Sequence, residues 1–338
     1  MIYRRLGTSG LKVSALSYGS WLTFANQLDL EGSLALMKRA FDLGINFFDN
    51  AEVYAHGRSE ELMGEVMARL GWRRDSFIVS SKAYWGQDPA DPKPTQIGLS
   101  RKHLFEACHA ALRRLRLDYL DLFYCHRPDP ETPVLETVRA MSDLVTQGKV
   151  LYWGTSEWPA ARILEAFEVA REWRLVPPVM EQPQYNLLVR RRFEEEYAPV
   201  FERHGMGATT WSPLSSGLLT GKYNGGLPEG SRLTQAGNEW LRGLVDGSGA
   251  HGVPGEALGA VCAFCDYARS IDFTPARLAL LWCVRHPRVS SVILGASRVD
   301  QLEENVGALQ HLGRLTPEVL ATLDKIFPIE KSGATPPA

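Results

Sequence analysis

Short apolar runs alternate with stretches of helical periodicity along most of this chain. From Ile45 to Phe48 the residues are apolar or strand-compatible, follow Gly44 and stop at Asp49, which predicts a buried strand with a carboxylate at its C-terminal tip. Phe77 to Ser81 forms a similar run ended by Lys82, and Leu120 to Cys125 one ended by His126. Between such runs, Glu31 to Leu43 carries Leu34, Met37 and Phe41 at helical spacing, and Ser100 to Leu115 carries Leu104, Cys108, Ala111 and Leu115 on one face. Thr132-Pro133 supplies a cap and first-turn proline for a helix bearing Leu135, Val138 and Val145 that stops at Gly148. Thr274-Pro275 does the same before Leu278, Leu281 and Trp282, and Pro287 closes that helix. Tyr3 to Leu6 and Lys12 to Ala15, turning at Thr8-Ser9-Gly10, read as an opening hairpin.

The strand-like runs end at Gly19, Asp49, Lys82, His126, Ser156, Gln182, Trp211 and Gly295. They recur at about one β–α unit each until a long interruption before the last, so the fold class expected is α/β, a (β/α)8 TIM barrel with an N-terminal hairpin. The competing architecture is an open doubly wound sheet, whose glycine-rich phosphate turn G-x-G-x-x-G occurs nowhere here. Gly217 to Lys222 resembles a P-loop only superficially, with three residues between its glycines and Tyr223 where Ser or Thr is needed. The interruption, Pro213 to about Pro254, is rich in Gly, Ser and Asn, anchored by Leu218, Leu219 and Trp240, and reads as a lid after strand seven. A final helix over Pro317 to Ile326 is expected to pack across the barrel. The domain then spans 1–328, with 329–338 a disordered tail.

Composition adds limits. With 45% hydrophobic and 22% charged residues the chain can bury a large core, and 37 basic against 39 acidic side chains give a net charge of −2. That balance offers no general attraction for nucleic acid or anionic membrane. No stretch approaches the roughly 18 apolar residues of a membrane helix, and the N-terminus lacks a signal-peptide core, so a cytoplasmic protein without membrane insertion is expected. Five cysteines at scattered spacing suit reduced thiols. Cys262 and Cys265 form one C-x-x-C with no second pair, and read as buried thiols on a helix rather than a zinc site.

In a barrel, strand C-termini converge, which would gather Asp49, Lys82 and His126 with Tyr54. An ammonium beside a phenol favours the phenolate and can lower a tyrosine pKa of ~10 by roughly 1 to 3 units. Asp49 would keep Lys82 charged, His126 would orient a carbonyl, and Tyr54 would protonate an alkoxide as hydride reaches carbon. Taken singly, each residue has a blander reading: a helix cap for Asp49, a rim charge for Lys82, a backbone-satisfied imidazole for His126. A Schiff-base lysine is the main enzymatic rival, and metal hydrolysis lacks a ligand cluster. Ser156, Glu157 and Gln182 suit a carboxamide, Trp211 could stack on a nicotinamide, and Ser297, Arg298 and Gln301 stand at a predicted helix N-terminus suited to phosphate.

The chain resembles the aldo-keto reductase superfamily, in the branch of voltage-gated potassium channel beta subunits and bacterial glyceraldehyde-phosphate reductase-like enzymes. The resemblance runs from about Ile2 to Phe327 and rests on Gly19-Ser-Trp-Leu-Thr-Phe24, Phe48-Asp-Asn-Ala-Glu-Val-Tyr54, Ser81-Lys82, Leu99-Ser-Arg-Lys-His103, His126-Arg-Pro-Asp-Pro130, Tyr152-Trp-Gly-Thr-Ser156, Trp211-Ser-Pro-Leu214 and Gly295-Ala-Ser297 through Glu304-Asn305. It implies reduction of aldehydes or ketones with NADPH/NADP+, and Asp49, Tyr54, Lys82 and His126 as the catalytic tetrad. Cofactor contacts implied by it fall on Trp21, Gln27, Asp49, Ser156, Gln182, Trp211, Ser212, Pro213, Leu214, Ser215, Ser216, Lys222, Arg232, Gly295, Ser297, Gln301, Glu304 and Asn305. Lys222 and Arg232 would close the lid over the pyrophosphate. A substrate pocket of Trp21, Phe24, Trp85 and Arg127 is expected, favouring small or aromatic aldehydes. The branch also implies a homo-tetramer and, as a rival from another class, a redox-sensing channel subunit with little turnover. The channel subunits carry asparagine at the position of His126 and arginine at that of Glu157, and a threonine is common at that of Ser20; the histidine points to a more competent reductase.

Overall fold

The computed structural model describes residues 1–329 except 22, 26, 230, 235–241, 244, 246–252 and 254–256. An antiparallel hairpin, β1 (Tyr3–Arg5) and β2 (Lys12–Ser14), precedes eight parallel strands: β3 (Leu16–Gly19), β4 (Phe47–Asp49), β5 (Ile78–Ala83), β6 (Leu120–Cys125), β7 (Val150–Thr155), β8 (Met180–Glu181), β9 (Gly207–Thr210) and β10 (Val289–Leu294). They close in chain order, β10 pairing with both β3 and β9, into a TIM barrel. Every strand end expected from the sequence falls within one residue of the strand observed.

The helices are α1 (Leu30–Asp42), α2 (Arg58–Leu70), α3 (Arg101–Leu115), α4 (Val134–Thr146), α5 (Ala160–Trp173), α6 (Ala198–His204), α7 (Ala257–Ser270), α8 (Pro275–Arg285), α9 (Val299–Gly307) and α10 (Pro317–Ile326). Asp29, Ser100 and Thr274 accept backbone N–H groups of the first turns of α1, α3 and α8, so local capping chemistry sets those starts. Thr132-Pro133 departs from expectation. Pro133 occupies the cap position, the helix begins at Val134, and the Thr132 hydroxyl donates to Asp129 at 2.6 Å. The final helix packs beside α7, with Phe327 against Phe264 and Asp324 paired to Arg190. Cys262 is half-buried on α7, unlike Cys265. Trp240, much of the second half of the expected lid and the 330–338 tail lie outside the described residues.

The alternation of strand side chains places the site. One apolar cluster outside the barrel wall takes Phe48, Val79 and Phe123, whereas Phe47, Ile78, Leu122, Tyr124 and Met180 point inward and meet Leu6 and Val13 from the hairpin, which plugs the lower end. The next inward positions above that plug are Asp49, Ser80, Lys82 and Gln182. An apolar floor thus supports a polar layer. The floor is tight at Gly154, where a Cβ would lie 2.1 Å from the Met180 carbonyl oxygen on β8. Gly154→Ala is therefore expected to cost about 1–3 kcal/mol or more through overpacking, read as a lower denaturant midpoint at unchanged m-value.

Candidate active site

The turn after β4 carries Tyr54 back over the barrel mouth. Backbone bonds from Asn50 to Ser80 and from Glu52 to Lys82 continue the strand pairing past Asp49, and Tyr54 then opens a tight turn in which Ala55 and His56 are left-handed at φ 48° and 55°. Non-glycine residues tolerate that conformation only where surroundings enforce it. The result sets the phenol oxygen 3.2 Å from Lys82 Nζ, which also donates to Asp49 Oδ2 at 2.6 Å and to the Asn50 carbonyl at 2.8 Å. Asp49 Oδ1 accepts from Ser80 at 2.7 Å and from Gln182 Nε2 at 3.1 Å. His126 stands beyond β6 with its ring edge-on to Tyr54 and to Trp85, centroids 5.9 and 4.7 Å apart. The four residues that sequence reasoning gathered are together.

Burial governs their charge. Lys82 is fully buried, which by itself lowers an ammonium pKa, but Asp49 and the phenol at contact distance raise it, and the net shift is upward. For Tyr54 burial is the largest influence and raises the pKa; Lys82 pulls it down without prevailing. The depressed phenol expected from the ammonium alone is thus corrected: removal from water costs the phenolate more than the neighbouring charge returns. His126 is held well below its ordinary value by burial, reinforced by Lys82 and Arg127, and is a neutral imidazole.

A cavity of about 490 Å³ opens above this group. Its walls include Trp21, Trp85, Arg127, Trp211, Ser212 and Pro213, and Gly19, Asp49, Tyr54, His126, Ser156, Gln182 and Gly295 reach it from the strand ends. Phe24 does not: it is fully buried against Tyr18, ring centroids 5.9 Å apart, and is core rather than pocket. Val53, Pro89, Ile293 and Leu294 are lining residues that sequence reasoning missed. Ser80 was missed too, although its position two residues before Lys82 on one strand face was the available signal. Glu157, at φ 57°, does not reach for an open carboxamide site: its Oε1 accepts the Trp211 indole N–H at 2.9 Å and the Gln184 amide at 2.6 Å, and its Oε2 lies 2.8 Å from Arg192.

The remaining residues expected to contact a cofactor are not among those lining this cavity. Ser212, Ser215 and Ser216 are all left-handed, at φ 55°, 47° and 54°, in the turn leaving β9 that also contains Leu214. Lys222 is exposed with its stem folded against that turn, where a Cβ on Gly217 would lie 2.8 Å from Nζ. Ser297 N donates to Gln301 Oε1 at 3.2 Å before α9, and Arg298 is paired with Asp300. Glu304 accepts from Thr274 at 3.2 Å, Asn305 is half-buried, and Gln27 is exposed in the β3–α1 loop. Arg232 begins a short turn, and its side chain lies outside the described residues. At the cavity, the buried His126 Nδ1 has no protein partner. Among the described residues no group of three or more His, Cys, Asp or Glu could hold a metal, and no helix is long and apolar enough to cross a membrane.

The sequence model described as "Aldo/keto reductase family" matches residues 15–327. A protein of Arabidopsis thaliana named probable voltage-gated potassium channel subunit beta is 47% identical over 330 residues, covering 97% of each chain. One of the same name from Oryza sativa subsp. japonica is 48% identical over 330 residues, 96% of each chain, and a putative one from Schizosaccharomyces pombe is 46% identical over 326 residues, 96% of this chain and 93% of its own. The chain belongs to the aldo/keto reductase family. Membership makes it an oxidoreductase by class, in a family that generally uses NAD(P)H on small carbonyl compounds.

The buried pair carries its own prediction. Asp49→Leu leaves the Lys82 ammonium without its counter-charge and is expected to cost about 3–5 kcal/mol, most of it recovered in the Asp49→Leu, Lys82→Met double variant. Urea denaturation of the three proteins measures both effects.

Proposed function

We propose that this member of the aldo/keto reductase family is an NADPH-dependent reductase of aldehydes and ketones, with Tyr54 as the general acid. The observation that carries the reading is the phenol 3.2 Å from a fully buried lysine ammonium at the floor of an aromatic-walled cavity. The bound nicotinamide dinucleotide would supply the hydride. Ser156 and Gln182 present polar groups for its carboxamide, the Trp211 indole an apolar face, and the left-handed turn with Lys222 a cationic cradle for pyrophosphate. Ser297, Arg298, Gln301 and Asn305 at the start of α9 suit the 2'-phosphate that distinguishes NADPH.

The protein groups then act in a fixed order of charge. Tyr54, neutral because burial raises its pKa, gives its proton to the oxygen on which negative charge grows. Lys82 donates a hydrogen bond to the phenolate left behind, and Asp49, held by Ser80 and Gln182, keeps that lysine charged and aimed. Neutral His126 donates to the carbonyl without adding a charge that would compete for the proton. Trp21, Trp85 and Arg127 enclose the substrate and shed water from the reacting carbon.

NADPH oxidation with 4-nitrobenzaldehyde or methylglyoxal tests the reading. Tyr54→Phe should lose about 10²–10⁴-fold in kcat while still binding NADPH; equal rates in the two proteins overturn it. The pH profile tests the charge states. Reduction needs the protonated phenol, so activity is present below the raised Tyr54 pKa and is lost as pH climbs through it, above ~10. Because burial holds the His126 pKa well below its ordinary value, kcat for reduction should show no step near ~6.5. A second reading rests on the relatives named as channel beta subunits: the same site would report nucleotide redox state to a potassium channel. Trace turnover together with co-purification of a channel would favour it.

A further inference from the structure

Glu52 stands two residues before Tyr54, is 3% exposed, and has no part in the tetrad. Its Oε1 accepts the backbone N–H groups of Tyr84 at 2.8 Å and Gly86 at 3.0 Å, the residues on either side of Trp85. Its Oε2 lies 3.4 Å from His103 Nε2, and His103 Nδ1 lies 2.8 Å from the Gly98 carbonyl oxygen. Gly98 N in turn donates to the Tyr84 carbonyl at 2.7 Å, closing the base of the 84–98 loop. The His103 side chain is only 4% exposed. A carboxylate and a carbonyl can only accept, so both ring nitrogens are satisfied only when each carries a proton. The charged groups facing the ring are Glu52, from the turn after β4, and Asp129, from the loop after β6, which accepts the Leu99 amide at 2.7 Å. Both are acidic.

We propose that Glu52 and His103 form a carboxylate–imidazolium positioning pair that fixes the 84–98 loop and so holds Trp85 as the wall of the carbonyl pocket. Trp85 needs such a hold: it is half-buried, packs edge-on to His126, and carries the Arg127 guanidinium 5.0 Å from its ring centroid. Without the carboxylate, two backbone amides on that loop lose their acceptor together. The turn that presents the proton donor and the loop that presents the substrate wall would then be tied through one side chain.

Two measurements on the intact protein test this. In ¹⁵N–¹H spectra of the eight histidines, the ring assigned to His103 should still be cationic at about pH 7, holding its second proton to higher pH than an ordinary imidazole with pKa ~6.5, and should lose it at lower pH in Glu52→Gln. A neutral His103 at about pH 7 in the unaltered protein overturns the proposal. In kinetics, His103→Gln should raise KM for 4-nitrobenzaldehyde roughly tenfold, about 1.4 kcal/mol, while kcat and the NADPH Kd stay within about twofold. Glu52→Gln, which retains an acceptor for both amides, should move KM less than Glu52→Ala. An unchanged KM in His103→Gln also overturns it. The kinetic arm rests on the reductase reading. Should the unaltered protein reduce no carbonyl compound, that reading fails, and the His103 spectrum together with the exchange rates of the Tyr84 and Gly86 amides in Glu52→Ala still decides the pair: unaltered exchange rates count against it.

Discussion

A single ammonium buried at the mouth of the barrel constrains everything around it. Lys82 has no access to water, so its charge must be met by neighbours, and the fold supplies Asp49, the Asn50 carbonyl and the Tyr54 phenol within hydrogen-bond reach. Those partners come from β4 and the turn beyond it, whereas Lys82 ends β5. The pair therefore exists only if the two strands keep their register, and Asp49 is further pinned by Ser80 from the same strand as Lys82 and by Gln182 from across the barrel. Misplacing any one of these leaves a charge stranded in apolar surroundings.

Burial also decides which groups are neutral. The same exclusion of water that makes Lys82 depend on Asp49 raises the Tyr54 pKa and lowers that of His126, leaving one neutral proton donor and one neutral imidazole beside a fixed cation. For a reaction that builds negative charge on oxygen, this is a favourable starting arrangement. The proton is present at ordinary pH, and the positive charge that will stabilise its departure is already in place.

A second ring of contacts orients the cavity walls. Glu157 accepts the Trp211 indole N–H while its other oxygen meets Arg192, and Glu52 accepts the amides flanking Trp85 while meeting His103. Both carboxylates lie just outside the cavity, and each turns an aromatic residue on a loop into a wall of defined orientation. Loops gain precision here from buried charge rather than from regular structure.

The sequence by itself determined the alternation of strand and helix, the position of each strand end, and hence which polar residues meet at the mouth of the barrel. Apolar periodicity and caps such as Ser100 and Thr274 are local signals, and residues at i and i+2 on a strand share a face regardless of what surrounds them. Only the tertiary structure decided the rest. Phe24 sits in the motif that should face substrate, yet it turns into the core against Tyr18. Glu157 reads as a cofactor ligand in the chain but is consumed by Trp211 and Arg192, residues far from it in sequence. The sign of the Tyr54 shift likewise escaped a reading that saw the ammonium but not the depth of burial. In each case the deciding quantity is a sum over neighbours brought together by closure of the barrel. The order of residues along a chain carries no direct record of how much water such closure removes.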